Sequence, residues 1–210
     1  MARGAVLAWL WRPRAFYTGL AEGLAAKGYV VVTLDHPYES AVTELPDGSI
    51  AAAVDNFPAN ASHAEGDVWM AKQLDIRAAD MRYALDQLRP EIIGADLATH
   101  LDLEHVGAIG HSLGGATAVV AMQRDARIRA AANVDGTPYG AMIGKQLDRP
   151  FLLLQSDYSE TGHSDKFILG NQSIIQHDTA PAWHYEVHRA NHYSFTDAPL
   201  FLGLPARFAL

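Results

Sequence analysis

The chain is predicted to be an α/β protein, with helices on both faces of a mostly parallel sheet. Three observations predict this. Strand-like and helix-like stretches alternate along the chain. The strand-like stretches are continuous apolar runs, as in strands buried on both faces. The 210 residues contain no repeat, low-complexity segment or linker, and suffice for one domain, residues 1–210, around one core.

The elements follow in order. Ala5-Val6-Leu7-Ala8-Trp9-Leu10-Trp11 is a short apolar run after Met1-Ala2-Arg3. Its shortness, its tryptophans and the following Arg12-Pro13-Arg14 fit a first strand better than a cleaved leader. Without a convincing leader the default expectation is a cytoplasmic protein, or a secreted one if the N-terminus is truncated. Ala15 to Lys27 reads as a helix stopped by Gly28, and Tyr29 to Leu34 as a buried, β-branched strand. Residues 36–67 form a long irregular loop, expected near the mouth of a site, with Asp47-Gly48 placed to close a small hairpin. Val68 to Leu88 is a long helix, with Trp69, Leu74, Met81, Leu85 and Leu88 near one face and Pro90 just beyond. Strands are expected at His105–Ile109, Ala130–Val134, Phe151–Leu154 and Trp183–Val187. Helices are expected over Ala116–Met122 and between Asp165 and Gln176.

Composition excludes several functions. The net charge is −8 with no basic run, which argues against a nucleic-acid partner. No apolar run reaches the roughly 18 residues of a membrane helix. Cysteine is absent, so disulfides and thiolate metal sites are excluded. The ten histidines are scattered and read as free of H-x-x-x-H and H-E-x-x-H spacing, so no metal is expected.

Gly110-His111-Ser112-Leu113-Gly114-Gly115 carries the chemistry. It is a G-x-S-x-G segment between a predicted strand and a predicted helix. A serine at that sharp turn is a nucleophile held in a strained backbone, and neighbouring glycines relieve the crowding. The first turn of the following helix offers N–H groups, Leu113 foremost, to a developing oxyanion. The alternative is a glycine-rich turn with Ser112 as a helix cap.

Such a serine needs a histidine base and an acid to orient it. His192, in the loop after the last strand, is the candidate base, and His188 at the strand end its rival. Two acids compete. Asp135 follows the strand ending at Val134, and Asp157 follows the strand ending at Leu154. Both positions are carboxyl ends of strands, where this architecture places its chemistry. Spacing does not choose between them.

A resemblance does. The chain resembles the platelet-activating factor acetylhydrolase (isoform II, plasma-type) branch of the α/β-hydrolases. The segments that carry it are Ala15-Phe16-Tyr17, Leu34-Asp35-His36, Gly110 to Thr117, Val134-Asp135-Gly136 and His192 to Asp197. It implies an α/β-hydrolase fold and a Ser112–Asp135–His192 triad. It further implies cofactor-independent hydrolysis of short or truncated acyl esters, small-molecule substrates. Dienelactone-hydrolase-like relatives would favour Asp157 and, like chlorophyllase-like or polyester- and lipid-cleaving enzymes, a different substrate.

Two departures from the family stand out, an atypical loop after the first strand and fewer residues before that strand and after the His192 segment than relatives carry. Trp9-Leu10-Trp11-Arg12-Pro13-Arg14 occupies the place of a glycine-rich loop that supplies a second oxyanion N–H, and Pro13 has none. Residues 1–14 are therefore atypical, and the fold is expected to be shortened at both ends. An impaired hydrolase fold that acts by binding is the alternative these departures raise.

Overall fold

The structure, a computed structural model, describes residues 5–10 and 14–201, with side chains described from residue 14 onward. Six strands form one parallel sheet: β1 (Ala5–Leu10), β2 (Val30–Leu34), β5 (Val106–His111), β6 (Ile128–Val134), β7 (Phe151–Ser156) and β8 (Ala182–Val187). Their order is β2-β1-β5-β6-β7-β8. The short strands β3 (Val42–Glu44) and β4 (Ile50–Ala52) pair antiparallel by themselves. Asp47-Gly48 lies in the turn between them, with Gly48 at φ 81°. The helices are α1 (Thr18–Ala25), α2 (His63–Asp86), α3 (Pro90–Ile93), α4 (Ala95–Thr99), α5 (Leu113–Arg124), α6 (Tyr158–Thr161), α7 (Asp165–His177) and α8 (Ala198–Phe201).

The core lies between the sheet and α2, α5 and α7. Alternate residues of β5 and β7 enter it, Val106 and Ala108, and Phe151 and Leu153; β6 contributes Ile128 and Ala131, three apart because the register against β5 shifts between them. Helix α2 contributes Leu74, Ala78, Met81 and Leu85, spaced to make one stripe. Helix α5 is buried all round from Leu113 to Met122, so its small residues set how closely it approaches the sheet. A Cβ on Gly115 would stand 2.1 Å from Asn133 Oδ1. The opposite sheet face is open in part: α1 and Trp183 flank an apolar groove of about 490 Å³ over β5, β6 and β7.

Several expectations change in detail. Helix α2 starts at His63, five residues before Val68, because Ser62 and Glu65 cap it reciprocally. The Ser62 hydroxyl accepts the Glu65 N–H, and the Glu65 carboxylate accepts the Ser62 N–H at 2.8 Å. The stretch Ala15–Lys27 divides into a 3₁₀ turn, Arg14–Tyr17, and the shorter α1. The apolar runs of β2 and β8 are not fully buried. Both are edge strands, so β2 is half-buried and β8 leaves Trp183 and Tyr185 exposed.

Candidate active site

All the predicted site residues lie at the carboxyl edge of the sheet. Ser112 follows β5 directly and begins α5, with φ 57° and ψ −127°. A non-glycine residue in that conformation is strained, as the elbow requires. Three hydrogen bonds hold the strained turn in place. Ser112 N–H donates to Val134 O at 2.8 Å, and the N–H groups of Gly115 and Ala116 donate to Ser112 O. Leu113 N–H sits in the first helical turn, where the intrahelical ladder has no acceptor for it.

Asp135 follows β6 at φ 56° and is buried. Two side-chain amides hold its turn. Asn133 Oδ1 accepts the Gly136 N–H at 2.9 Å, and Asn133 Nδ2 donates to Gly136 O and to Asn171 Oδ1. Asn171 Nδ2 also donates to Gly136 O. Space at Gly136 is closed by backbone: a Cβ there would meet Ser112 O at 2.2 Å. Gly136→Ala is therefore expected to cost about 3 kcal/mol or more, since backbone on both sides must move. Denaturant unfolding checks this, and a loss below about 1 kcal/mol would contradict the packing.

The Asp135 carboxylate is saturated with donors. His192 Nδ1 lies 2.6 Å from Oδ2 and His163 Nε2 lies 2.9 Å from Oδ1. Ser156 N–H donates to Oδ1 at 2.8 Å, and the Ser156 hydroxyl bonds both oxygens. Burial alone would raise this acid's pKa. The bonds from His192, Ser156 and His163 outweigh burial and bring it down to about 2, so the group is an anion at neutral pH.

His192 opens a 3₁₀ turn, His192–Phe195, capped by Asn191, whose side chain accepts the N–H groups of Tyr193 and Ser194. Its ring is 4.4 Å, centroid to centroid, from that of His111. His111 Nε2 lies 2.8 Å from His192 O, and a carbonyl only accepts, so Nε2 carries the proton. In the neutral ring the His111 Nδ1 then accepts from the Tyr17 hydroxyl at 2.9 Å. A buried chain from Tyr17 through His111 thus holds the backbone of His192, while Asp135 holds its ring.

The rival residues pair with each other. Asp157 accepts from His188 Nδ1 at 2.8 Å, from the Arg189 N–H and from the N–H and hydroxyl of Ser159. It caps α6. These bonds, that of the Ser159 hydroxyl first, hold its carboxyl well below the usual range. His188 is largely solvent-exposed, while the Asp157 side chain beneath it is buried. Asp157→Asn is expected to keep esterase activity within about threefold and to cost about 1 kcal/mol of stability, the usual loss for a cap. An inactive, folded Asp157→Asn would contradict the assignment to capping.

His184, His188 and His192 follow at intervals of four residues, which corrects the expectation that H-x-x-x-H spacing is absent. They lie on β8 and its loop rather than on a helix, and they separate. His184 bonds Gln155, His188 bonds Asp157 and His192 bonds Asp135. The ligand atoms of His111, Asp135 and His192 do lie within 4.8 Å of one another. Both nitrogens of His111 and Nδ1 of His192 are committed to hydrogen bonds, which leaves His192 Nε2 for chemistry. Of the supporting residues, Tyr17 and His111 fall inside segments already singled out in the sequence, whereas Asn133, Ser156, His163 and Asn171 carry no motif; a polar residue inside an apolar strand, such as Asn133 in β6, is the sequence signal among these four. The loop suspected of lacking a second oxyanion donor lies, at residues 11–13, outside the described residues.

Ser112, Leu113, Met70, Thr137 and Tyr139 line a cavity of about 130 Å³. Lys166 stands 5.3 Å from the Tyr139 ring centre.

Known proteins share this arrangement of strands. A ferulic acid esterase from Streptomyces cinnamoneus superposes with a TM-score of 0.79 at 27% identity, over 99% of this chain and 58% of its own. A probable 1-alkyl-2-acetylglycerophosphocholine esterase of Arthroderma benhamiae is 26% identical over 196 residues, 90% of this chain and 46% of that protein. A platelet-activating factor acetylhydrolase of Cavia porcellus is 25% identical over 173 residues, 74% of this chain and 40% of that protein. The chain spans less than half the length of these two curated relatives. The model of the family "Platelet-activating factor acetylhydrolase, isoform II" matches residues 10–205. The fold is that of the α/β-hydrolases, and the chain belongs to the platelet-activating factor acetylhydrolase isoform II family.

Proposed function

We propose that this protein is a serine carboxylic-ester hydrolase that works through an acyl-enzyme on short or truncated acyl esters. The observation that carries the reading is the 2.6 Å contact between His192 Nδ1 and the buried Asp135 carboxylate, at the same sheet edge as a serine held at φ 57°. Family membership and the esterase names of the relatives support it.

In this reading Ser112 is the nucleophile, His192 the base and Asp135 the acid that orients it. His192 Nε2 removes the proton of Ser112 Oγ as Oγ bonds to the ester carbonyl carbon. Charge moves to the carbonyl oxygen, which Leu113 N–H and one further donor stabilise. Asp135 fixes the Nδ1–H tautomer of His192 and balances the imidazolium charge. The tetrahedral adduct collapses, the C–O bond to the alcohol breaks, and His192 returns the proton to the leaving oxygen. Water then enters, gives its proton to His192 and attacks the acyl-enzyme, freeing the acid and Ser112.

The cavity beside Ser112 bears on the acyl group. At about 130 Å³, lined by Met70, Thr137 and Tyr139, it has room for a few carbons. In a series of p-nitrophenyl esters, kcat/KM is expected to be highest from acetate to butyrate and about tenfold lower or more by decanoate. A preference for decanoate would move the reading to lipid or polyester cleavage.

A further inference from the structure

Asp135 is shared by two imidazoles, and only one of them takes part in the mechanism above. The second, His163, comes from another part of the chain. Gly162 ends α6 in the left-handed conformation, φ 63° and ψ 55°, and this turn directs His163 back under the sheet edge. The side chain is buried, and its ring stacks on Phe167 of α7 at 4.0 Å and 17°. Nε2 is 2.9 Å from Asp135 Oδ1 and 3.1 Å from the Ser156 hydroxyl. Nδ1 is buried and has no hydrogen-bond partner among the described residues.

This arrangement defines the tautomer. An ionised carboxylate only accepts, so Nε2 carries the proton that points at Oδ1. A proton on Nδ1 would be a buried donor without an acceptor, which costs about 1–3 kcal/mol. His163 is thus a fixed donor, clamped by a stacked ring. Together with the Ser156 N–H it occupies Oδ1, on the side of the carboxylate away from His192. Rotating the carboxylate would break these bonds inside the core. The remaining oxygen, Oδ2, is held toward His192 Nδ1.

We infer that His163 is a positioning residue for ester hydrolysis: it locks the rotation of the Asp135 carboxylate so that Oδ2 alone faces His192. The inference rests on the reading of Ser112, Asp135 and His192 as the triad. A role of this kind appears in turnover rather than in substrate binding. Outer partners of a histidine–carboxylate pair at metal sites are typically worth about 10–100-fold in affinity or activity when removed. His163 has the same relation to its carboxylate, through an N–H bond.

Two variants of the full chain test this, with Ser112→Ala in parallel. His163→Phe keeps a flat ring against Phe167 and removes the donor. His163→Gln returns an N–H donor at about the reach of Nε2. With p-nitrophenyl acetate, His163→Phe is expected to lose about 10–100-fold in kcat with KM within about twofold. His163→Gln is expected to recover at least about tenfold of a hundredfold loss, or most of a smaller one. In proton NMR, the downfield resonance of the His192–Asp135 hydrogen bond is expected to move in His163→Phe and to return toward its original position in His163→Gln. A folded His163→Phe with unchanged kcat and resonance would overturn the inference. If His163→Phe does not fold, His163→Gln decides alone: native kcat and resonance support a donor role, and a folded, inactive Gln variant with a displaced resonance overturns it. Full activity of Ser112→Ala would overturn the triad reading and this inference with it. An inactive Ser112→Ala beside a fully active His163→Phe would overturn this inference alone.

Discussion

Ser112→Ala is expected to lose at least about 10⁴-fold in kcat toward p-nitrophenyl acetate while folding normally. Losses of this size and larger follow removal of the nucleophile in serine hydrolases of other folds. Two buried hydroxyls of the adjoining elements are already engaged. Thr117 Oγ1 is buried and donates to Leu113 O, and the Ser156 hydroxyl is spent on Asp135. The substitution leaves the backbone bonds of the turn in place: the N–H of residue 112 still meets Val134 O, and its carbonyl still accepts from Gly115 and Ala116. Alanine removes one hydroxyl and adds no bulk, so thermal stability is expected to stay within about 1 kcal/mol of the native protein. Activity within tenfold of native would mean that the ester is cleaved elsewhere.

Asp135→Asn is expected to cost on the order of 10⁴-fold in kcat, as the equivalent change does in a serine protease. Asn is nearly isosteric, and the turn is held by Asn133 and Asn171, which bond backbone rather than the acid. The fold is therefore expected to survive. What changes is the donor pattern. The site supplies donors from Ser156, His163 and His192, and an amide nitrogen placed among them either faces His192 Nδ1–H or forces the proton to Nε2. In that tautomer His192 has no lone pair to offer Ser112. A folded Asp135→Asn that retained more than about one tenth of native kcat would contradict the role given to the acid.

Some of this site was legible in the residues and some was not, for physical reasons. The G-x-S-x-G turn is local: glycine at tight positions and an apolar strand and helix on either side are written between His105 and Met122. The choice between Asp135 and Asp157 is not local. Both follow apolar strands of the same sheet, and what separates them is which loop histidine crosses to each. His192 reaches Asp135 across 57 residues, and His188 reaches Asp157 across 31. In the sequence, a resemblance to known enzymes is what favours Asp135. His163 was invisible for the same reason, being an isolated histidine whose partner lies 28 residues earlier on another strand. The half-exposure of β2 is not written in its sequence, because β-branched runs such as Val30-Val31-Val32 report a strand without reporting its place in the sheet order. The early start of α2 could have been read from Ser62 and Glu65, spaced as a capping box.

The central claim is that Ser112 becomes acylated, and a single mass measurement addresses it. The native chain is treated with a fluorophosphonate, then digested, and the modified peptide is sequenced by mass spectrometry. The expected result is one adduct per chain, on Ser112, absent from Ser112→Ala. An adduct on another residue, or labelling that persists undiminished in Ser112→Ala, would contradict it.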